Sequence, residues 1–386
     1  MKAYSALMRL PSVRRIVAIA AISRLTTSML SLSLLLAVVS NNGGYREGGS
    51  VLFGHALALA ILAPLSGRIA DRIGRRSVLL IFIVLHVLAY AGLLMALHSS
   101  APTVVTVICA AALGATTPPA ASVTRRTWPL LVPEESLRTA YALDSVINST
   151  TFILGPLIVG LLVLFVPALA VVAIGAVAKI TGDLLLATAS IAEVSETSAG
   201  RKTGIFGPLA NPQLVLLLCT IALDTFVIGV MQVGAVAATN ASSAGGLLLS
   251  AAAAGEVAGG LIYGVVGWQL ELRWQLIWLH IGTAATVATM GLVPGLALLL
   301  LLYSAAGLTS GMRDALGQHA VGGLAPTGAG TEAFGWLTSF MWAGYGLGTF
   351  ASGIINAALG VTELFCVAAA VSAAAATLAW FVRRPR

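Results

Sequence analysis

Long apolar runs separated by short polar segments repeat along the whole chain. A membrane-spanning helix needs about 20 mostly apolar residues, and twelve stretches approach or meet that length. Six lie at roughly 16–39, 50–66, 77–97, 102–123, 139–163 and 168–190. Six more lie at roughly 212–236, 245–267, 275–292, 295–312, 333–357 and 362–382. Mean hydropathy is +0.98, so a typical stretch is apolar on every face. A helix of that kind belongs in a membrane or a deep core. The first run, Ile16 to Val39, exceeds the roughly 7–15 residues of a signal-peptide core and is read as a retained helix. The pattern predicts an all-α integral membrane protein with twelve transmembrane helices, and an even count puts both termini on one side.

Composition narrows the function classes. The 386 residues are 58% hydrophobic and only 9% charged, where a soluble domain carries about 25% charge. This excludes a soluble enzyme, a disordered chain and a secreted disulfide scaffold. The net charge of +7 implies no nucleic-acid partner, because basic excess on a membrane protein reports orientation. With both termini cytoplasmic, eighteen of the 21 Lys and Arg, Arg313 among them, fall in cytoplasmic segments. Only Arg46 falls outside, and Arg24 and Lys179 lie within spans. The expectation is a multi-pass, monomeric protein of the cell (inner) membrane. Cys109, Cys219 and Cys366 are scattered packing residues, with no spacing that suggests a metal or cofactor. A phosphate-binding GxxxxGK[ST] loop is absent, as is any loop long enough for a catalytic domain, so neither ATP drive nor an enzyme is expected.

The longest polar interruption, 191–211, has the Ser, Thr, Gly, Lys and Pro of a linker. It divides the chain into an N-terminal half (1–190) and a C-terminal half (212–386), an internal repeat of the kind common in transporters. Ala140-Tyr141 to Gly160 aligns faintly with Ala333-Phe334 to Gly353.

Between spans two and three the chain reads GRIADRIGRRS. Gly67 permits close helix approach, Gly74 a tight turn, and Asp71 a charge-assisted bond to an arginine or a helix N-terminus. The order G-x-x-x-D-R-x-G-R-R resembles the signature of the major facilitator superfamily, at the position where that family carries it. The resemblance extends to the span count, the two halves and the linker. It implies a fold of two pseudo-symmetric six-helix halves, and it makes Gly67, Asp71, Gly74, Arg75 and Arg76 gating residues that latch the halves together. The matching loop in the second half has Trp268 where an acid would fall, so the latch is asymmetric. In span five, Gly155-Pro156 with Gly160 is similar to the kink element of the family's drug–proton antiporters. Thr151 stands where those proteins carry an earlier glycine, and Ala110 stands where an arginine is usual in span four.

Charges inside spans cost about 2.5–3.5 kcal/mol each and are functional suspects. Lys179 and Asp183 are four apart and predict a mutual ion pair. Arg24 on span one and Asp144 on span five, the latter with Asn148 and Thr151 on its face, lie at comparable depth. They are expected to pair across the N-terminal half. No Lys or Arg occurs between Lys202 and Arg273, so Asp224 and Glu256 are expected to have no basic partner within their spans. An unpaired carboxyl of this kind is neutral when buried and ionised when wet, the property a proton carrier needs. Asp224 shares a face with Thr220 and Gln232. Thr116-Thr117-Pro118-Pro119 interrupts span four, and interrupted spans point to binding sites. The candidate proton or substrate residues are therefore Asp224, Glu256, Arg24, Asp144, Asn148, Thr116, Thr117 and Gln232. The expected function is alternating-access secondary transport, with proton-coupled export of a small amphipathic or cationic compound. Import or uniport of a nutrient on the same fold is the alternative.

Overall fold

The computed structural model describes residues 7–41, 44–73, 75–120, 123, 124, 128, 131–189, 207–240, 242–265, 270–293, 295–325 and 330–383. Twelve long helices occupy these residues, with no strands among them. In the first half they are α1 (Pro11–Ser40), α2 (Tyr45–Ile73), α3 (Arg75–His98), α4 (Thr103–Ala115), α5 (Glu134–Leu162) and α6 (Ala168–Thr188). In the second they are α7 (Pro212–Ala238), α8 (Ala244–Val265), α9 (Leu272–Met290), α10 (Leu296–Leu324), α11 (Gly330–Ala358) and α12 (Val361–Ala379). Seven of the described helices are long and apolar enough to cross a bilayer by length and composition alone.

Local chemistry sets where the helices begin. Proline, which fixes φ and lacks a donor the first turn does not need, opens α1 and α7 and immediately precedes α4, α5 and α6. Gly295 and Gly360 precede α10 and α12 at φ 112° and 111°, a region that strains any residue with a Cβ. Asn211 caps α7 by accepting from the Gln213 amide at 3.0 Å, and its amide donates to the Leu324 carbonyl at 2.9 Å. The start of α7 is thereby tied to the end of α10.

Several helices outrun their apolar stretches. The apolar run of span ten ends at 312, yet α10 continues to Leu324, so Arg313 lies inside a helix and not in a connecting loop. Span four is interrupted as its prolines predict. Helix α4 ends at Ala115, residues 117–119 are not helical, and helical turns resume at Ala120.

Within the first half α1 packs on α5 and α6, and α2 and α3 pack on α4. Within the second half α7 packs on α11 and α12, α8 on α10, and α9 on α10 and α12. Two seams join the halves, α2 against α11 and α5 against α8. Exchanging the halves maps one seam onto the other, the signature of pseudo-twofold symmetry. The buried apolar residues divide unevenly along this axis. At the end of the molecule away from the termini they form one continuous core that draws on both halves, from Met29–Val38 of α1 to Val227–Val236 of α7. At the terminus-bearing end they form two separate cores. One lies around Ile16, Leu79 and Trp128, the other around Leu217, Leu276 and Leu316. Among the described residues, the buried apolar core thus bridges the halves at one end and is divided between them at the other. Of the proposed linker, residues 191–206 lie outside the described residues.

Candidate functional site

The densest polar group in the second half lies among α7, α8, α9 and α10. Asp224 accepts from Arg313 Nη2, and Arg313 Nη1 donates to the Leu279 carbonyl at 3.0 Å and to Thr283 Oγ1. Asp224 and Arg313 are both buried. This corrects the expectation that Asp224 lacks a basic partner. Its partner sits on α10, in a stretch whose hydropathy falls off too early for the span to be recognised as continuing. Three anchors hold the guanidinium, while its Nε is buried without a hydrogen-bond partner.

Glycine brings Glu256 to this group. Helices α8 and α10 run backbone to backbone: a Cβ added at Gly307 would collide with the Ala252 carbonyl, and one at Gly311 with the carbonyl of Glu256 itself. Gly311 is two residues before Arg313 and three before Asp314, so the seam fixes Glu256 beside both. Glu256 lies within electrostatic reach of Asp314, Asp224 and Arg313. Asp314 is half-buried and accepts from Gln318 Nε2 at 2.8 Å. These residues, with the buried His280 of α9, line a cavity of about 40 Å³. Asp314, Arg313 and His280 were missed from sequence. The first two fall beyond the apparent end of span ten, and His280 is one histidine in an apolar run.

In the first half, Arg24 and Asp144 pair as expected. Nη2 lies 2.7 Å from Asp144 Oδ1 and Nη1 lies 3.0 Å from the Asp144 carbonyl, with both side chains buried. Trp128 Nε1 is 3.4 Å from the same carboxylate oxygen. The neighbouring Ser23 is held from the other side: it donates to Asp183 at 2.6 Å and accepts from Lys179 at 3.0 Å. Lys179 and Asp183 form the expected ion pair at 2.9 Å. Adjacent residues of α1 are therefore pinned to α5 and to α6.

The remaining candidates divide. Thr116 Oγ1 bonds the Ala112 carbonyl at 2.8 Å and meets His86 Nδ1 at 3.1 Å. Thr117 Oγ1 donates to the Leu113 carbonyl at 3.1 Å. Both hydroxyls cap the broken end of α4. Gln232 is half-buried on α7, and its Nε2 has no partner. Asn148 lies on α5, with its side chain outside the described residues. Of the loop motif, Gly67, Asp71 and Arg75 lie in α2 and α3 with side chains outside the described residues. Gly74 is outside them altogether, and Arg76 is exposed at the start of α3. The span-five element is a packing device. Pro156 sits inside α5, Gly155 abuts Ser28 of α1, and Gly160 abuts Ser243 and Gly246 at the seam with α8. Ser250 crosses the same seam to the Ile153 carbonyl at 2.9 Å.

Among known proteins, the sequence profile of the Major Facilitator Superfamily matches residues 16–210. The crystal structure of the nucleoside transporter NupG superposes with a TM-score of 0.76 at 14% identity, covering 96% of this chain and 99% of that one. The crystal structure of a bacterial homologue of the iron transporter ferroportin, in an inward-facing state, superposes with a TM-score of 0.73 at 16% identity, covering 97% and 98%. At such identities the likeness concerns the fold. No curated protein matches the sequence.

Proposed function

Because the chain belongs to the major facilitator superfamily, whose members here are transporters and not enzymes, we propose that it is a proton-coupled secondary transporter. It exports a small amphipathic or cationic compound by alternating access. The observation that carries this reading is the charge balance of the second-half cluster: three carboxylates, Asp224, Glu256 and Asp314, face the single guanidinium of Arg313 around one cavity. Carboxylates gathered this closely repel one another, so the cluster favours a positive occupant, whether a proton or a cationic group of the substrate. The buried Arg24–Asp144 pair is neutral as a unit. It serves the path as a fixed dipole, and Asn148, Thr116, Thr117 and Gln232 are further polar groups that we assign to the path.

We take the end with the shared core as sealed and the end with divided cores as parted, and this difference supplies the gating. With both termini in the cytoplasm, as the arginine distribution expects, the parted end faces inward and the seams α2–α11 and α5–α8 close the outer face. The loop residues Gly67, Asp71, Gly74, Arg75 and Arg76 then sit at the inner end, where they latch the halves when the cycle reverses. Working as a monomer in the inner membrane, the protein needs no cofactor for this cycle.

The test is ethidium transport by the purified protein in proteoliposomes, with and without an imposed pH gradient. Transport driven by the gradient and abolished by a protonophore is expected. Transport that ignores the gradient removes proton coupling. Absence of any ethidium movement, alongside uptake of a neutral nutrient such as a nucleoside, moves the reading to import.

A further inference from the structure

The cluster contains two kinds of carboxylate. Asp224 is committed: its partner Arg313 is buried and held at three points, by Asp224, the Leu279 carbonyl and Thr283. Thr283 is itself bonded to Thr309 at 2.7 Å. A guanidinium tied twice to α9 as well as to its counter-ion on α7 is held in place, and breaking such a pair strands a buried charge. Glu256 and Asp314 have no such partner among the described residues. They lie on the α8–α10 seam, where the two helices meet backbone to backbone at Gly311. Arg313 is already paired with Asp224, which leaves the half-buried Asp314 and the exposed Glu256 without a cation of their own.

A second observation points into the same cavity. His280 of α9 is 1% exposed, lines the cavity, and keeps a buried Nδ1 without a hydrogen-bond partner. Arg313 Nε is buried and likewise unpartnered. Buried polar atoms are rarely left unsatisfied. A cavity of about 40 Å³ has room for water, which would satisfy such atoms and give the carboxyls a route for exchange. The charged and titratable groups lining this cavity are Asp224 on α7, Glu256 on α8, His280 on α9, and Arg313 and Asp314 on α10. The α11 lining residues, Leu337 and Met341, are apolar.

We propose that Glu256 and Asp314 together form the proton-binding site of this chain, reached through the His280 cavity, while Asp224 is the permanent counter-ion of Arg313 and carries no proton. This rests on the proton-coupled reading above, but its test needs no substrate. Infrared difference spectra of the reconstituted protein, recorded across a pH titration in heavy and light water, report protonated carboxyl groups directly. Wild type is expected to show, at a pH where exposed carboxyls are already ionised, carboxylic C=O bands that vanish at higher pH. E256Q and D314N are each expected to remove part of that signal, and the double variant all of it. D224N is expected to leave it. Should D224N fail to fold because Arg313 is stranded, D224N/R313Q removes both charges together and gives the same readout. H280Q is expected to slow deuterium exchange of the bands without deleting them. The proposal is overturned if the bands survive E256Q/D314N, or if they disappear in D224N or D224N/R313Q. It is also overturned if no protonated carboxyl is seen and added sodium shifts the carboxylate bands instead. Bands that behave as expected in a protein that moves no ethidium would leave the site standing and remove only the substrate reading.

Discussion

Arg24 and Asp224 stand at matching positions in the two halves and carry opposite charges. Arg24 lies thirteen residues into α1 and Asp224 twelve into α7, about 20 and 18 Å along helices that both open on proline. Each finds its counter-ion on a different kind of neighbour, Asp144 of α5 for Arg24 and Arg313 of α10 for Asp224. The pseudo-symmetry of the helices is therefore not a symmetry of their chemistry. In the first half the pair leaves no further charge beside it on α1, and Lys179 and Asp183 balance each other. In the second half two more carboxyls gather beside the pair.

The Arg24–Asp144 pair is expected to support stability. D144N leaves Arg24 buried and uncompensated, a change that costs about 3–5 kcal/mol in comparable buried pairs. A clear drop in melting temperature of the detergent-solubilised protein is expected. R24Q/D144N should recover most of it, because neither charge is then stranded. Transport that survives both R24A and D144N would remove the pair from the path.

The α5–α8 seam should control which face opens. A side chain at Gly246 would collide with the Pro156 carbonyl across the halves, so G246L is expected to hold that end apart. The measurement is thiol labelling of a cysteine placed at Thr239, in a variant lacking Cys109, Cys219 and Cys366. Labelling by an impermeant reagent from outside should rise in G246L, while transport falls.

The parted end should be reachable from the cytoplasm. Gln318 and His319 are exposed on the terminus-bearing part of α10. A cysteine at Gln318 is expected to react in inside-out vesicles and to stay protected in right-side-out cells. The reverse pattern would invert the orientation and with it the direction assigned to transport.

Glu256 should separate coupling from movement. E256Q is expected to lose gradient-driven ethidium accumulation while retaining exchange of ethidium across the membrane. Loss of both, with the protein still folded, would place Glu256 in substrate binding instead.

The span count, the two halves and the exclusion of soluble and enzymatic functions were legible along the chain, because each follows from hydropathy, which is a local property. The Lys179–Asp183 pair was legible for the same reason: four residues make one helical turn. Arg24–Asp144 could be anticipated from equal depth in one half. Arg313 could not, because the apolar run ends at Met312 and nothing local says that the helix continues to Leu324. Only the packing of α10 against α7 and α9 turns a residue that reads as a cytoplasmic charge into the buried partner of Asp224. His280 and Asp314 acquired meaning in the same way, by lining one cavity with residues tens of positions distant. The sequence by itself determined the number and order of the membrane helices, since transfer energy depends on composition. The tertiary structure decided which charges meet, since that depends on helix rotation and on glycines that let two backbones touch.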